Sequence, residues 1–155
     1  MTDHRLRYFD DYQPGTTYDC GSVRVSQDEM ISFAKQFDPQ PFHVDPAAAA
    51  LGPFGGLIAS GWHTGGLVMR QIVAHFLPAE ASLGSPGLDE IRWPEPVRPG
   101  DTLRVRATVA EARRSQSKPD RGLVKTVIEA VNQDDKTVMR ATAINFLRVR
   151  PESDA

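Results

Sequence analysis

The chain has 155 residues and a mass of 17.1 kDa, which suits one compact domain over residues 1–155, and its 40% hydrophobic content supplies a core. Its 18 basic and 20 acidic side chains leave a formal charge of -2 with no block of like charge, so neither a nucleic-acid surface nor an acidic tail is indicated. Cys20 is the single cysteine, which excludes an intrachain disulfide and a cysteine-built zinc site and suits a reducing cytoplasm; no run approaches the roughly 20 apolar residues that a membrane span needs.

The first dozen or so residues are mixed and polar, without the apolar run of a targeting segment, and end at the turn signal Gln13-Pro14-Gly15. The core is therefore expected from about Gly15 to Val149, with tails at both ends. Thr16 to Val25 reads as a modest strand. Ser26-Gln27-Asp28-Glu29 has the form of a capping box, and Met30, Phe33, Ala34 and Phe37 follow at helical spacing, which predicts a helix from about Gln27 to Phe37. Asp38-Pro39-Gln40-Pro41-Phe42-His43-Val44-Asp45 is then read as a loop. Its prolines bias Asp38 and Gln40 away from helix, so a carboxylate and an imidazole five positions apart sit on stiffened backbone. Asp45-Pro46, four alanines, Leu51 and Gly52 supply a cap, a first-position proline and a terminal glycine, the marks of a helix of about two turns.

After the loop Gly52 to Gly56, Ser60 or Gly61 opens a long segment that runs through Phe76 and is stopped by Pro78. Trp62, Leu67, Val68, Ile72, Val73 and Phe76 spread around much of its circumference, which predicts a helix buried on most sides. From Gly87 the period changes to two. Gly87 to Trp93, Asp101 to Ala112, Gly122 to Asn132 and Thr137 to Arg148 read as strands, separated by proline, glycine and aspartate turns. One mostly buried helix ahead of a long antiparallel meander suggests a sheet wrapped around that helix, an α+β design. Arg104, Arg106, Arg113, Arg114, Lys118 and Arg121 fall on these strands and turns. A solvated face is the default reading, and a surface for an anionic ligand such as the phosphates of coenzyme A is the alternative.

Three features carry chemistry. Asp38 and His43 form an acid/base pair, and Gly61 at a helix start has an unpaired backbone N–H at the positive end of the helix dipole. Together these suit proton transfer on a polarised carbonyl. Each residue also has a plainer reading: Asp38 as a helix end, His43 as a hydrogen-bonded structural imidazole, Trp62 as core, and His63 as a packing residue. His4 and His75 receive no role.

The motifs Asp38-Pro39-Gln40-Pro41-Phe42-His43-Val44-Asp45-Pro46, Leu57-Ile58-Ala59-Ser60-Gly61 and Trp93-Pro94-Glu95-Pro96-Val97-Arg98-Pro99-Gly100-Asp101 agree in order and interval with one family. The chain resembles the MaoC-like dehydratases, which include the (R)-specific enoyl-CoA hydratases, over about Gly15 to Val149. The resemblance implies a hot-dog fold, with an antiparallel sheet around a long central helix. It also implies homodimers, or higher assemblies of dimers, with thioester sites near the subunit boundary. The family's catalytic Asp and His fall on Asp38 and His43, and its backbone oxyanion donor falls on Gly61. Phe42, Ile58, Ser60, Trp62 and His63 are the expected substrate-side neighbours. Three positions depart from the family pattern: Gln40 stands for its asparagine, Ser60 for a frequent histidine, and Met69 for a hydroxyl residue of the central helix.

The implied activity is hydration of a trans-2-enoyl thioester, carried by coenzyme A or acyl carrier protein, to a (R)-3-hydroxyacyl thioester, with no cofactor and no metal. Neither a Rossmann glycine fingerprint nor a P-loop is present. Three rivals remain. A hot-dog thioesterase would place a carboxylate on the central helix, yet Gly61 to Phe76 contains no Asp or Glu. An iron site built on His43, Asp45 and a remote His63 or His75 conflicts with Asp45-Pro46 as a helix start. A non-catalytic acyl-thioester binder would keep the fold without the chemistry.

Overall fold

The structure, a computed structural model, describes residues 3–154. Five strands, β1 (Thr17–Arg24), β2 (Gly87–Arg92), β3 (Thr102–Arg114), β4 (Arg121–Val131) and β5 (Thr137–Arg148), form one antiparallel sheet in the order β1-β3-β4-β5-β2. Four helices, α1 (Gln27–Phe37), α2 (Pro41–Val44), α3 (Pro46–Leu51) and α4 (Gly61–His75), all lie between β1 and β2 in the chain. This is the α+β hot-dog arrangement, with α4 as its central helix.

Period-two patterning sets the sheet's faces. Leu103, Val105, Ala107 and Val109 of β3 turn inward and are fully buried, while Arg104 and Arg106 between them turn outward. The outward arginines are paired: Arg104 with Asp135 across the β4–β5 turn, and Arg106 and Arg140 with Glu129 between them on β4. Arg113 faces Glu111, and Arg121 faces Asp120. The arginines of the cationic run are therefore paired at the solvated surface.

The inner face of β1 and β3 receives α4, which buries Thr64, Leu67, Val68 and Ile72. The expectation that this helix is buried on most sides is corrected. Trp62, Met69 and Val73 on its far face are 62%, 47% and 53% exposed. A five-stranded sheet curves over one side of a helix, so apolarity all around α4 reflects two faces of which the sheet covers one.

The segment expected as an N-terminal tail joins the core. Phe9 and Tyr12, placed by a 3-10 turn at Phe9–Asp11, are buried, and Tyr12 packs edge-on against Phe76 at 5.1 Å between ring centroids. Phe9 occupies the place where a Cβ on Gly122 would stand, its ring atoms lying 2.3–2.7 Å from that point, so glycine on β4 is required by this close approach. The Tyr12 hydroxyl donates to the Phe76 carbonyl at 2.6 Å, satisfying the C-cap residue of α4. Tyr12→Phe is expected to leave that buried carbonyl unpaired and to lower stability by about 1–3 kcal/mol, read as a reduced urea midpoint with an unchanged slope.

The loop expected after α1 is also corrected: residues 41–44 form a helical turn. Asp38 cannot continue α1 because Pro39 follows, and it adopts φ -153°, ψ 67°. Gln40 is extended, and Pro41 at the first helical position nucleates α2, whose turn closes with Asp45 N–H donating to the Pro41 carbonyl at 2.9 Å. Asp45 Oδ1 then caps α3 by accepting from Ala47 and Ala48 N–H at 3.0 and 3.1 Å, so it serves as the helix start.

Candidate active site

Four short segments converge at one end of α4. Asp38 ends α1, His43 sits on α2, Ser60 and Gly61 begin α4, and residues 93–97 follow β2. Backbone hydrogen bonds lock them together: Ile58 N–H donates to the Phe42 carbonyl at 3.1 Å, and Ala59 N–H to the Val97 carbonyl at 2.9 Å. Arg98 reaches across to the Phe54 carbonyl at 2.6 Å and ties down the glycine-rich loop. The cavity so formed has a volume of about 420 Å³ and contains Asp38, His43, Ile58, Gly61, Trp62 and Thr64 in its lining, together with Phe54, Trp93 and residues 94–97.

His43 is 5% exposed. Its Nδ1 lies 2.8 Å from the Ile58 carbonyl. A carbonyl only accepts, so Nδ1 carries a proton and Nε2 is the atom free to gain or lose one. Nε2 is 3.2 Å from Asp38 Oδ2. The carboxylate also accepts from Ser60 Oγ at 2.7 Å on Oδ2 and from Gln40 Nε2 at 2.7 Å on Oδ1. Partial burial works to raise the Asp38 carboxyl. The Ser60 and Gln40 hydrogen bonds and the neighbouring His43 outweigh it and hold the group below the usual carboxylate value.

At the start of α4 the Gly61 and Trp62 N–H groups have no acceptor among the described residues, whereas His63 and Thr64 N–H both donate to the Ser60 carbonyl. Gly61 borders the cavity with its free donor at the positive end of the helix dipole. Its missing side chain serves a purpose the sequence reading did not foresee. A Cβ there would stand 2.6–2.9 Å from the Trp93 ring, so glycine makes room for Trp93. Trp62 packs edge-on against the same ring at 5.5 Å.

The expected substrate-side residues divide. Ile58 and Trp62 line the cavity. Phe42 stands behind it, edge-on to His43 at 4.5 Å and to Phe54 at 5.4 Å. Ser60 is fully buried behind Asp38, where it touches the carboxylate. His63 faces the other way, into a separate cleft of about 360 Å³ between α1 and α4 with Glu29, Ser32, Phe33 and Arg70. Burial there holds the His63 imidazole below its ordinary value, with Glu29 opposing and Arg70 adding to the shift. Phe54, Thr64 and Trp93 were not anticipated as lining residues. Thr64 had a signal, because it lies three positions after Gly61 and so on the same helix face. Trp93 had a weaker one, its place in a proline-rich motif. Among the described residues no three His, Cys, Asp or Glu side chains converge as metal ligands, and no helix is long and apolar enough to cross a membrane.

A hot-dog domain with a carboxylate–imidazole pair beside a free helix N-terminus defines the class. The chain belongs to the MaoC-like dehydratase family, whose MaoC like domain model matches residues 11–133. It is 41% identical to the 3-hydroxyacyl-thioester dehydratase Z of Mycobacterium tuberculosis over 56% of this chain and 57% of that protein. It is 32% identical to the 3-hydroxybutyryl-CoA dehydratase of Methylorubrum extorquens over 72% of this chain and 69% of that one. Among solved structures, the MaoC-like dehydratase of Rhodospirillum rubrum superposes with a TM-score of 0.87 at 41% identity, covering 94% of this chain and 99% of the other. A Mycobacterium tuberculosis protein with a double hotdog fold shares the fold at TM-score 0.76 and 19% identity; the match covers 94% of this chain and 45% of that one.

Proposed function

We propose that the protein catalyses the reversible hydration of a trans-2-enoyl thioester to a (R)-3-hydroxyacyl thioester. The observation that carries this reading is the Asp38–His43 pair, 3.2 Å apart, on the wall of an apolar cavity that also contains a free helix N-terminal donor at Gly61. The thioester carbonyl accepts from Gly61 N–H, which draws electrons away from the β-carbon and steadies the enolate oxygen. A water held by the pair loses one proton to it as its oxygen bonds to the β-carbon. The same proton, or its equivalent, returns to the α-carbon as the enolate collapses. Ile58 and Trp62 flank the acyl chain. The substrate carrier is coenzyme A or an acyl carrier protein, in keeping with the names of the dehydratases most like this chain.

The working unit in this reading is a homodimer. The exposed apolar face of α4 and the free edge of β2 are continuous through Leu88, which is 47% exposed, and a second copy would cover both. The double hotdog relative supports this, since the chain matches less than half of a protein that carries the fold twice.

The test is loss of enoyl-thioester absorbance with crotonyl-CoA and with a longer trans-2-enoyl-CoA, followed by chiral analysis of the product. Turnover to the (R)-alcohol is expected from a particle of twice the 17.1 kDa chain mass by light scattering. Tight binding of both thioesters without turnover would replace the enzyme reading with that of an acyl-thioester binding protein.

A further inference from the structure

Serine is a preferred helix N-cap because its hydroxyl accepts from a first-turn N–H. Ser60 begins α4 but makes no such bond. Its side chain is fully buried, and its Oγ donates instead to Asp38 Oδ2, 22 residues away in the chain, at 2.7 Å. The diversion has two effects. It leaves the Trp62 N–H, a target of an N-cap hydroxyl, without that acceptor, and it adds a donor to the carboxylate. Gln40 adds another, its Nε2 lying 2.7 Å from Oδ1. With His43 Nε2 at 3.2 Å from Oδ2, both oxygens of Asp38 are engaged, by α2 and its N-cap on one side and by the start of α4 on the other. The Ser60 and Gln40 donors favour the ionised carboxylate over the neutral acid. Gln40 and Ser60 are two of the positions that depart from the family pattern, so the departures meet on a single side chain.

We propose that Ser60 and Gln40 are positioning residues that hold Asp38 as a fixed, ionised carboxylate, and that His43 Nε2 alone carries the proton moved in the reaction. A carboxylate held by two hydrogen-bond donors is a weak base and is restrained from swinging toward substrate. It is well suited to stabilise the imidazolium that forms when Nε2 takes a proton, while the Ile58 carbonyl on Nδ1 fixes the ring's tautomer and orientation. Nδ1 cannot exchange its proton with substrate because it is committed to the Ile58 carbonyl. The cycle then balances on one atom. Nε2 takes a proton from water as the water oxygen bonds to the β-carbon and the π electrons move to the thioester oxygen. The enolate re-forms the carbonyl as the α-carbon takes that proton from Nε2. Both additions occur from the side of the acyl group that His43 faces.

The kinetic part of this inference rests on the hydratase reading; the carboxylate clamp is tested separately. Ser60→Ala removes the buried donor. Gln40→Glu, at an exposed position where folding is not at stake, replaces a donor with a like charge. With the aspartate carboxyl carbons labelled with carbon-13 and Asp38 assigned through Asp38→Asn, both variants are expected to raise the Asp38 titration midpoint in the unliganded protein. In steady-state assays kcat is expected to fall about 10- to 100-fold with KM changed less than about 2-fold. A titration midpoint unmoved in both variants overturns the clamp, whatever the activity. If wild type hydrates no enoyl thioester, the hydratase reading fails while the titration still decides the clamp.

Discussion

Replacing His43 with alanine is expected to lower kcat for enoyl-thioester hydration by about 10²- to 10⁴-fold, the usual contribution of a positioned acid/base group, with little change in KM. The imidazole is the group whose free nitrogen faces both the carboxylate and the cavity, and water is too poor a nucleophile at neutral pH without it. The substitution also leaves the Ile58 carbonyl without its donor in a buried place, which costs about 1–3 kcal/mol. Activity must therefore be compared where near-ultraviolet circular dichroism shows both proteins folded. His43→Gln, closer in volume, separates the chemical loss from the packing loss, since a side-chain amide fills space but does not act as a base at neutral pH. Asp38→Asn is expected to act in the same direction by removing the anion beside Nε2. Turnover that survives in His43→Gln at wild-type level would mean that the base lies elsewhere in the cavity.

The second large effect is expected at Gly61. Gly61→Ala sets a methyl group 2.6 Å from the nearest atom of the Trp93 ring, closer than any real contact of this kind. Trp93 is 38% exposed, so either the indole swings outward or the start of α4 is pushed away from the segment 93–97. Both responses disturb the N–H donor proposed to hold the enolate oxygen. Loss of one such donor is worth about 10²- to 10³-fold in kcat, and a comparable fall is expected here with a small change in melting temperature. A Trp93→Ala partner distinguishes the cause. If the loss is steric, Gly61→Ala in the Trp93→Ala background should cost much less than it does alone, a non-additivity characteristic of residues in contact. Equal cost in both backgrounds would show that the methyl group obstructs the ligand directly.

Much of this site was legible because it is written locally. Proline at positions 39, 41 and 46 constrains the chain wherever it goes, so the end of α1 at Asp38 and the start of α3 at Asp45 followed from adjacent residues alone. The helical turn Pro41–Val44 between them has no such local signature. Four residues are too few to show a period, and a first-position proline with one closing hydrogen bond leaves no pattern beyond the proline itself. The strands of the meander were equally legible, since alternation on β3 and β4 requires only that one face be buried.

The errors share a cause. Trp62 and Val73 carry the pattern of a buried helix yet are exposed, because apolarity records that a face is covered and not by what. Phe9 and Tyr12 were left in a tail because burial of a few aromatics depends on a partner, the bare backbone of Gly122 for one and the end of α4 for the other. His63 and Ser60 adjoin Gly61 in sequence, which suggested shared exposure to ligand. Helical geometry separates neighbours by about 100°, and it turned His63 toward α1 and left Ser60 against Asp38.

The sequence by itself determined an α+β design, one long helix ahead of an antiparallel meander, and placed Asp38, His43 and Gly61 at or beside segment ends, because caps, prolines and hydrophobic period act over a few residues at a time; the hot-dog fold followed from the resemblance its motifs carry. Only the tertiary structure decided that Ser60 gives up its capping bond for a carboxylate 22 residues away and that Trp93 rests on Gly61. Those contacts join segments distant in the chain, and their directions are fixed by how the helices pack on the sheet.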